Sequence, residues 1–252
     1  MNNKLFLETS IQIKKIFGKE RESILKFMRD KKTITSTYVL MEFNRRILKD
    51  CTHLHLILME EETPDDVFRR LSDLKIYEHR RASICNLILA ELSEGGKLEK
   101  EKAITRLERL IEYQLKHQFF YGIKSIINET KCELANEIVM EENDNYFLNT
   151  GCRRGKMKCE IETFVEKNKK EFENILNGLK VNGDFKNACN SLQEILKEPK
   201  KAMGKNCNRI PGDCIISVET PEDYKILTTD HHYESICKCI NKDPLLFQKI
   251  EL

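Results

Sequence analysis

The sequence predicts an α/β protein whose parallel, doubly wound sheet is interrupted by a large, all-helical insertion. Three observations lead there. Strand and helix signals alternate over residues 1–50 and again over 204–252, and between them, over 51–203, helical periodicity repeats without a strand signal. A chain of 252 residues, 40% apolar and 33% charged, can bury one substantial core, or a core and a satellite.

Lys4 to Leu7 is a short run of strand formers, and it stops at Glu8-Thr9-Ser10, where a hydroxyl residue can cap a following helix. That helix, Ile11 to Phe17, continues past Gly18 into Glu20 to Arg29, with Ile24, Leu25 and Met28 at helical spacing. Thr33 to Ser36 reads as the second strand. From Tyr38 to Lys49, Val39, Leu40, Phe43 and Ile47 form one apolar stripe, which leaves Glu42 at its edge near Tyr38, Arg45 and Arg46.

In the middle, Thr63-Pro64 starts a helix and Gly95-Gly96 stops one. Further helices are expected over Leu98 to Ile127, Glu160 to Leu179, and Asp184 to Lys197 before Pro199, with Glu141 to Lys158 as a long loop. Alternation returns after Gly204. Pro211-Gly212-Asp213 opens a helical segment from Cys214 to Val218, and the strand Lys225 to Leu227 ends at Thr228-Thr229-Asp230. A helix from His232 to Ile240 leads to a last strand near Leu245 to Ile250.

The 43 Lys and Arg against 41 Asp and Glu leave a net charge of +2, so any nucleic-acid surface has to be a local patch. Ten cysteines at irregular spacings, with no apolar leader ahead of Glu8, point to reduced thiols in the cytoplasm. Cys132, Cys152 and Cys159, with Cys189 or Cys207, lack the C-x-x-C spacing of structural zinc sites. Apolar stretches such as Leu54 to Met59 fall far short of the ~20 residues that cross a bilayer.

Ligands of open parallel sheets sit beyond the carboxyl ends of the strands. That rule selects Glu8 and Asp230, each following a strand, Asp213 at a helix start, and Glu42 on the helix after the second strand. Four carboxylates in one crevice repel one another without cations between them, and hard ions such as Mg²⁺ or Mn²⁺ suit oxygen ligands. The pair His231-His232 is read as a helix start rather than as metal ligands.

These strings resemble, in order and context, the acidic motifs of PIN-domain nucleases: Leu7-Glu8-Thr9-Ser10; Ser36 to Leu48 with Glu42; Pro211-Gly212-Asp213-Cys214-Ile215-Ile216; and Ile226-Leu227-Thr228-Thr229-Asp230. The resemblance implies a Rossmann-like α/β/α core from residues 1–50 and 204–252. It also implies endonucleolytic hydrolysis of phosphodiester bonds, usually of single-stranded RNA, by water activated on one or two Mg²⁺ or Mn²⁺ ions. Glu8, Glu42, Asp213 and Asp230 would then be the catalytic, metal-binding acids, and Thr9, Ser10 and Thr229 the orienting hydroxyls. Glu8 departs from the family pattern, which usually has Asp there.

Lys14, Arg45, Arg46 and Arg209 lie close in sequence to these motifs and are the candidate substrate contacts, with the basic run Arg153 to Lys158 as a further one. Tyr38 or Tyr146 could stack on an unpaired base. Three functions are therefore expected in order: an endoribonuclease, freestanding or the toxin of a toxin-antitoxin or defence system; a catalytically silent PIN-like module binding RNA or protein; and a metal-dependent phosphohydrolase of small esters. The helical insertion is expected to serve as a lid or as a homodimer or partner surface.

Overall fold

The computed structural model describes residues 3–93, 96–132, 139–142, 145–148, 159–180, 185–202 and 212–250. Its centre is a five-stranded, fully parallel sheet made of β1 (Lys4–Leu7), β2 (Lys32–Ser36), β3 (Ser125–Ile127), β6 (Lys225–Thr228) and β7 (Pro244–Leu246). The spatial order is β3-β2-β1-β6-β7. Successive side chains of a strand face opposite sides of the sheet. Leu5 and Leu7 accordingly pack with Ile11, Ile24, Met28, Leu227 and Phe247 on one side, while Phe6, Ile34 and Ile226 join the larger core on the other. A parallel sheet buried on both faces needs such near-continuous apolar strands.

Along the chain, the first three strands build outward from β1 in one direction and the last two in the other. The order reverses between β1 and β6, and open parallel sheets bind ligands beyond the carboxyl ends of the strands at such a point. Helices α1 (Thr9–Ile16) and α2 (Arg21–Met28) connect β1 to β2. The predicted α/β class and parallel sheet are present.

Local expectations are corrected at several points. The boundary expected near residue 50 falls inside one continuous helical rod, α3 (Thr37–Phe43), a π-helical turn (Asn44–Leu48) and α4 (Lys49–Glu60). No Gly or Pro interrupts those residues, and Ile47, Cys51, Leu54 and Leu58 carry the buried stripe straight through. The middle stretch is also not purely helical, because β3 adds to the sheet at the edge of β2. The helix expected to reach Ile127 runs instead from α7 (Lys100–Arg109) through a π turn (Leu110–Gln114) to α8 (Leu115–Phe120), and ends at Gly122, whose φ of 78° suits glycine. The expected loop from Glu141 begins as a hairpin of β4 (Val139–Glu142) and β5 (Asn145–Leu148).

Other helices of the middle are α5 (Pro64–Tyr77), α6 (His79–Leu92), α9 (Ile161–Lys167), α10 (Lys169–Lys180) and α11 (Lys186–Lys197), the single helix expected over Glu160 to Leu179 being split at Asn168. Their apolar faces share one core with the sheet: Leu58, Leu89, Leu107, Phe172 and Leu192 belong to the same cluster as Phe6 and Ile34. The chain closes with α12 (Gly212–Glu219) and α13 (His232–Lys238). Cys51, Cys85, Cys189, Cys214 and Cys237 are free and buried, acting as small apolar fillers. No helix among the described residues is long and apolar enough to cross a membrane.

Glu219, at the end of α12, is buried, and neither carboxylate oxygen has a hydrogen-bond partner among the described residues. Burial pushes its pKa up to about 8, with the nearby Ser36 hydroxyl pulling weakly the other way. An unfolded glutamate releases its proton near 4.5, so between about pH 4.5 and 8 the folded chain binds more protons than the unfolded one. Stability is therefore expected to fall as pH rises through that window. Glu219→Gln should flatten the fall in denaturant titrations at pH 5 and 8, and an unchanged pH dependence would show that the carboxyl is not held neutral.

Candidate metal centre

Each acid is placed by a strand end or a helix start. Glu8 follows β1 directly and caps α1 with extended backbone. Its carboxylate accepts the backbone N–H of Ser10 at 2.7 Å and of Ile11 at 3.2 Å, and also the Ser10 hydroxyl. Both oxygens thus turn back onto the helix they start. Burial pushes Glu8 up to about pKa 7, the Ser10 bonds favour its ionised form, and the Asp213 charge raises it further.

Glu42 lies on α3 with little exposure and accepts the Thr9 hydroxyl at 2.6 Å. The carboxylate rests against Gly212, where a Cβ would overlap Glu42 Oε1 and lie 3.0 Å from its Cδ. Glycine is needed there for close approach rather than for a special φ. Gly212→Ala is expected to displace Glu42 and weaken any metal-dependent activity roughly tenfold or more while the fold persists, since misplacing an outer group of a metal site costs about 10- to 100-fold. Equal activity of that variant, measured at saturating metal, would show that Glu42 has no such role.

Asp213 occupies the first turn of α12, where the helix dipole favours a negative charge. Even so, burial pushes its pKa up to about 6, Glu42 and Asp230 add repulsion, and Arg46 and His232 offset part of it. Asp230 follows β6. Its backbone N–H donates to the Thr228 hydroxyl at 2.9 Å, and its Oδ1 accepts the His232 N–H at 2.9 Å. Ser10 and Thr229 tie the β1 and β6 ends together, their hydroxyls lying 2.7 Å apart and Thr229 N–H donating to Ser10 Oγ at 3.1 Å.

The structure thus brings Glu42, Asp213 and Asp230 to one crevice, with Glu8 beneath them. It adds His232, whose Nδ1 is 3.1 Å from Asp230 Oδ1 and 4.0 Å from Asp213 Oδ2. One ligand atom each from Asp213, Asp230 and His232 lie within 4.8 Å of one another, spacing that a single cation can bridge. The helix-start reading of His232 holds, since it is the first residue of α13. Its imidazole does more than that, and the ring stands edge-on to Phe185 at 5.6 Å.

Sequence reasoning also missed Tyr233. This ring is fully buried, its hydroxyl has no partner among the described residues, and Asp213, Glu8 and Glu42 all act on it electrostatically. A buried hydroxyl without a partner, set among carboxylates, is a place where a further polar ligand belongs.

The candidate substrate contacts divide. Arg46 faces the crevice at 3.8 Å from Glu42. Lys14 pairs instead with Glu20 at 2.8 Å, and Arg45 reaches back toward Met41. Tyr38 is buried in the core and cannot stack on a base, whereas Tyr146 donates to Glu112 and meets His55 edge-on. Arg209 and the run Arg153 to Lys158 lie outside the described residues. A cavity of about 800 Å³ lies at the opposite end of the sheet, beside Lys31 and Lys124 ahead of β2 and β3. It has no bearing on the acids.

No protein-family model matches the chain, and comparison with curated proteins and with solved structures finds no match.

Proposed function

We propose that the chain is a divalent-metal-dependent endonuclease with a PIN-like core, acting on single-stranded RNA. One observation carries this reading: acids from distant parts of the chain meet at the topological reversal of a parallel sheet, around a histidine and a buried tyrosine hydroxyl without a partner. Asp213, Asp230 and His232 would hold the ion, with Glu42 completing the acidic wall. Two carboxylates with an imidazole fit Mn²⁺ better than Mg²⁺, because imidazole favours transition ions. When bound, such an ion supplies a nucleophile from water near neutral pH and offsets charge on the phosphate.

The chain's own residues position these groups. Thr9 fixes Glu42, the Ser10–Thr229 contact fixes the two strand ends, and Glu8 spends its carboxylate on α1. The inward turn of Glu8 is the observation that favours a second reading, a silent PIN-like module that binds RNA without cutting it. Purified protein with Mn²⁺ and a labelled, unstructured single-stranded RNA separates the two, with p-nitrophenyl phosphate as a control for a small-ester hydrolase. Cleavage that EDTA abolishes is the expected result; binding without cleavage in Mn²⁺ would overturn the enzyme reading.

A further inference from the structure

Another cavity, of about 380 Å³, opens where the corner between α1 and α2 meets the ends of α6 and α7. Small-ligand sites span roughly 300–1,000 Å³, so it falls within their range. It lies at the far end of α1 from Glu8 and is separate from the acids. Two contacts hold its walls together. Gly18 N–H donates to Glu91 Oε1 at 3.2 Å, and Arg106 Nη1 donates to the Leu92 carbonyl at 3.1 Å.

One wall owes its composition to the π turn of Leu110–Gln114, in which Leu115 N–H reaches back five residues to the Leu110 carbonyl. At about 100° per residue, an unbroken α-helix would put Gln114 and Gln118 about 80° and 120° round the axis from Arg106. The π turn takes up one extra residue and rotates both back by about 100°. Arg106, Arg109, Gln114 and Gln118 consequently line the same cavity. Such turns inside α-helices often mark functional positions.

The lining is rich in cations. Arg21, from α2, joins Arg106 and Arg109 against the single carboxylate of Glu91, which already accepts the Gly18 N–H. Arg21 and Arg109 are exposed, and their side chains make no ion pair or hydrogen bond among the described residues. The planar fork of arginine matches phosphate oxygens two at a time. Each glutamine amide offers both a donor and an acceptor, which suits the edge of a base, and Phe17 and Leu110 supply apolar surface beside them.

We infer that this cavity binds a mononucleotide, its phosphate held by Arg21, Arg106 and Arg109 and its base set against Gln114 and Gln118. Arg21 belongs to the first segment of the chain and the other four to the helices of the middle, so a bound nucleotide stabilises the docking of one on the other. The inference does not depend on the nuclease reading.

The test is isothermal titration calorimetry and thermal melting in EDTA with AMP, GMP, CMP, UMP and inorganic phosphate, and anisotropy with a labelled, unstructured 20-nucleotide RNA. At least one mononucleotide should bind and raise the melting temperature. Arg21→Ala and Arg109→Ala should each weaken that binding roughly tenfold or more, as expected for the loss of a hydrogen bond to a charged group. Gln114→Leu should weaken the nucleotide and leave inorganic phosphate unaffected, and the exposed control Lys170→Ala should match wild type. Asp213→Asn should also bind as wild type does, since the acids lie elsewhere. Melting without ligand checks the fold of each variant, and the two arginines stand on different helices, so one unfolded variant leaves the other as the test.

No binding of any mononucleotide to wild type at millimolar concentration would overturn the inference, as would unchanged affinity in both arginine variants. Inorganic phosphate binding as tightly as the nucleotides would show an anion pocket that reads no base, and would overturn the nucleotide assignment. Loss of RNA binding in the arginine variants without any mononucleotide binding would make the cavity part of a strand path instead. Weaker nucleotide binding in Asp213→Asn would place the ligand at the acids and overturn the site.

Discussion

Asp213→Asn is expected to reduce Mn²⁺-dependent cleavage by at least roughly 100-fold, because even outer groups of metal sites cost about 10- to 100-fold when removed. The same variant should be more stable than wild type in EDTA. Burial and the charges of Glu42 and Asp230 push the Asp213 pKa from 3.8 up to about 6, so the ionised carboxylate opposes folding near pH 7. Relieving it should contribute on the order of 1–2 kcal/mol, after discounting for the carboxylate's partial exposure, at ~1.4 kcal/mol per pKa unit. In a chain of this size that is a melting shift of about 2–8 °C. Opposite signs of the two effects distinguish a functional acid from a structural one. Melting curves in EDTA together with initial cleavage rates check both; a variant that cuts within threefold of wild type, or melts well below it, would exclude Asp213 from the metal set.

Lys15→Met is expected to give the largest loss of stability. The Lys15 ammonium is buried and donates to the carbonyls of Phe119 at 2.6 Å and Tyr121 at 3.0 Å, tying α1 to the end of α8. Met retains the apolar stem but leaves the Phe119 carbonyl buried without its donor, and a buried acceptor stranded in this way costs about 1–3 kcal/mol. Burial also brings the Lys15 pKa down from 10.5 to about 7, so across that range the unfolded chain binds more protons and stability rises with pH. The Met variant should lack that rise. Urea titrations at pH 7 and 9.5, compared at constant m-value, measure both effects. A midpoint unchanged by the substitution would show that water serves those carbonyls instead.

Local pattern made much of this molecule legible. β1, β2, α1, α3, β6 and α13 were each marked by a run of apolar residues with a cap or turn beside it, and the strand-end rule selected Asp213 and Asp230, which the fold brings together. What escaped the sequence is set by tertiary contact. Three residues, Ser125 to Ile127, have no alternation to read, and become a strand because β2 offers an unpaired edge and Lys124 N–H donates to Thr33 O at 2.8 Å. The direction of Glu8 is a rotamer choice between its own helix N-terminus and the crevice, which spacing alone does not decide. The Asp50–Arg81 pair likewise joins two helices whose docking no periodicity announces.

The Ser10–Thr229 hydroxyl contact joins residues 219 positions apart, and β1 pairs with β6 across a similar separation. Contacts so distant along the chain form late, since the entropy of closing the loop must be overcome first. A growing polypeptide on the ribosome therefore carries Glu8 and Glu42 for most of its synthesis without Asp213 or Asp230 to answer them. For the endonuclease proposed above, such late assembly keeps the acidic set incomplete until Asp213 and Asp230 have been synthesised.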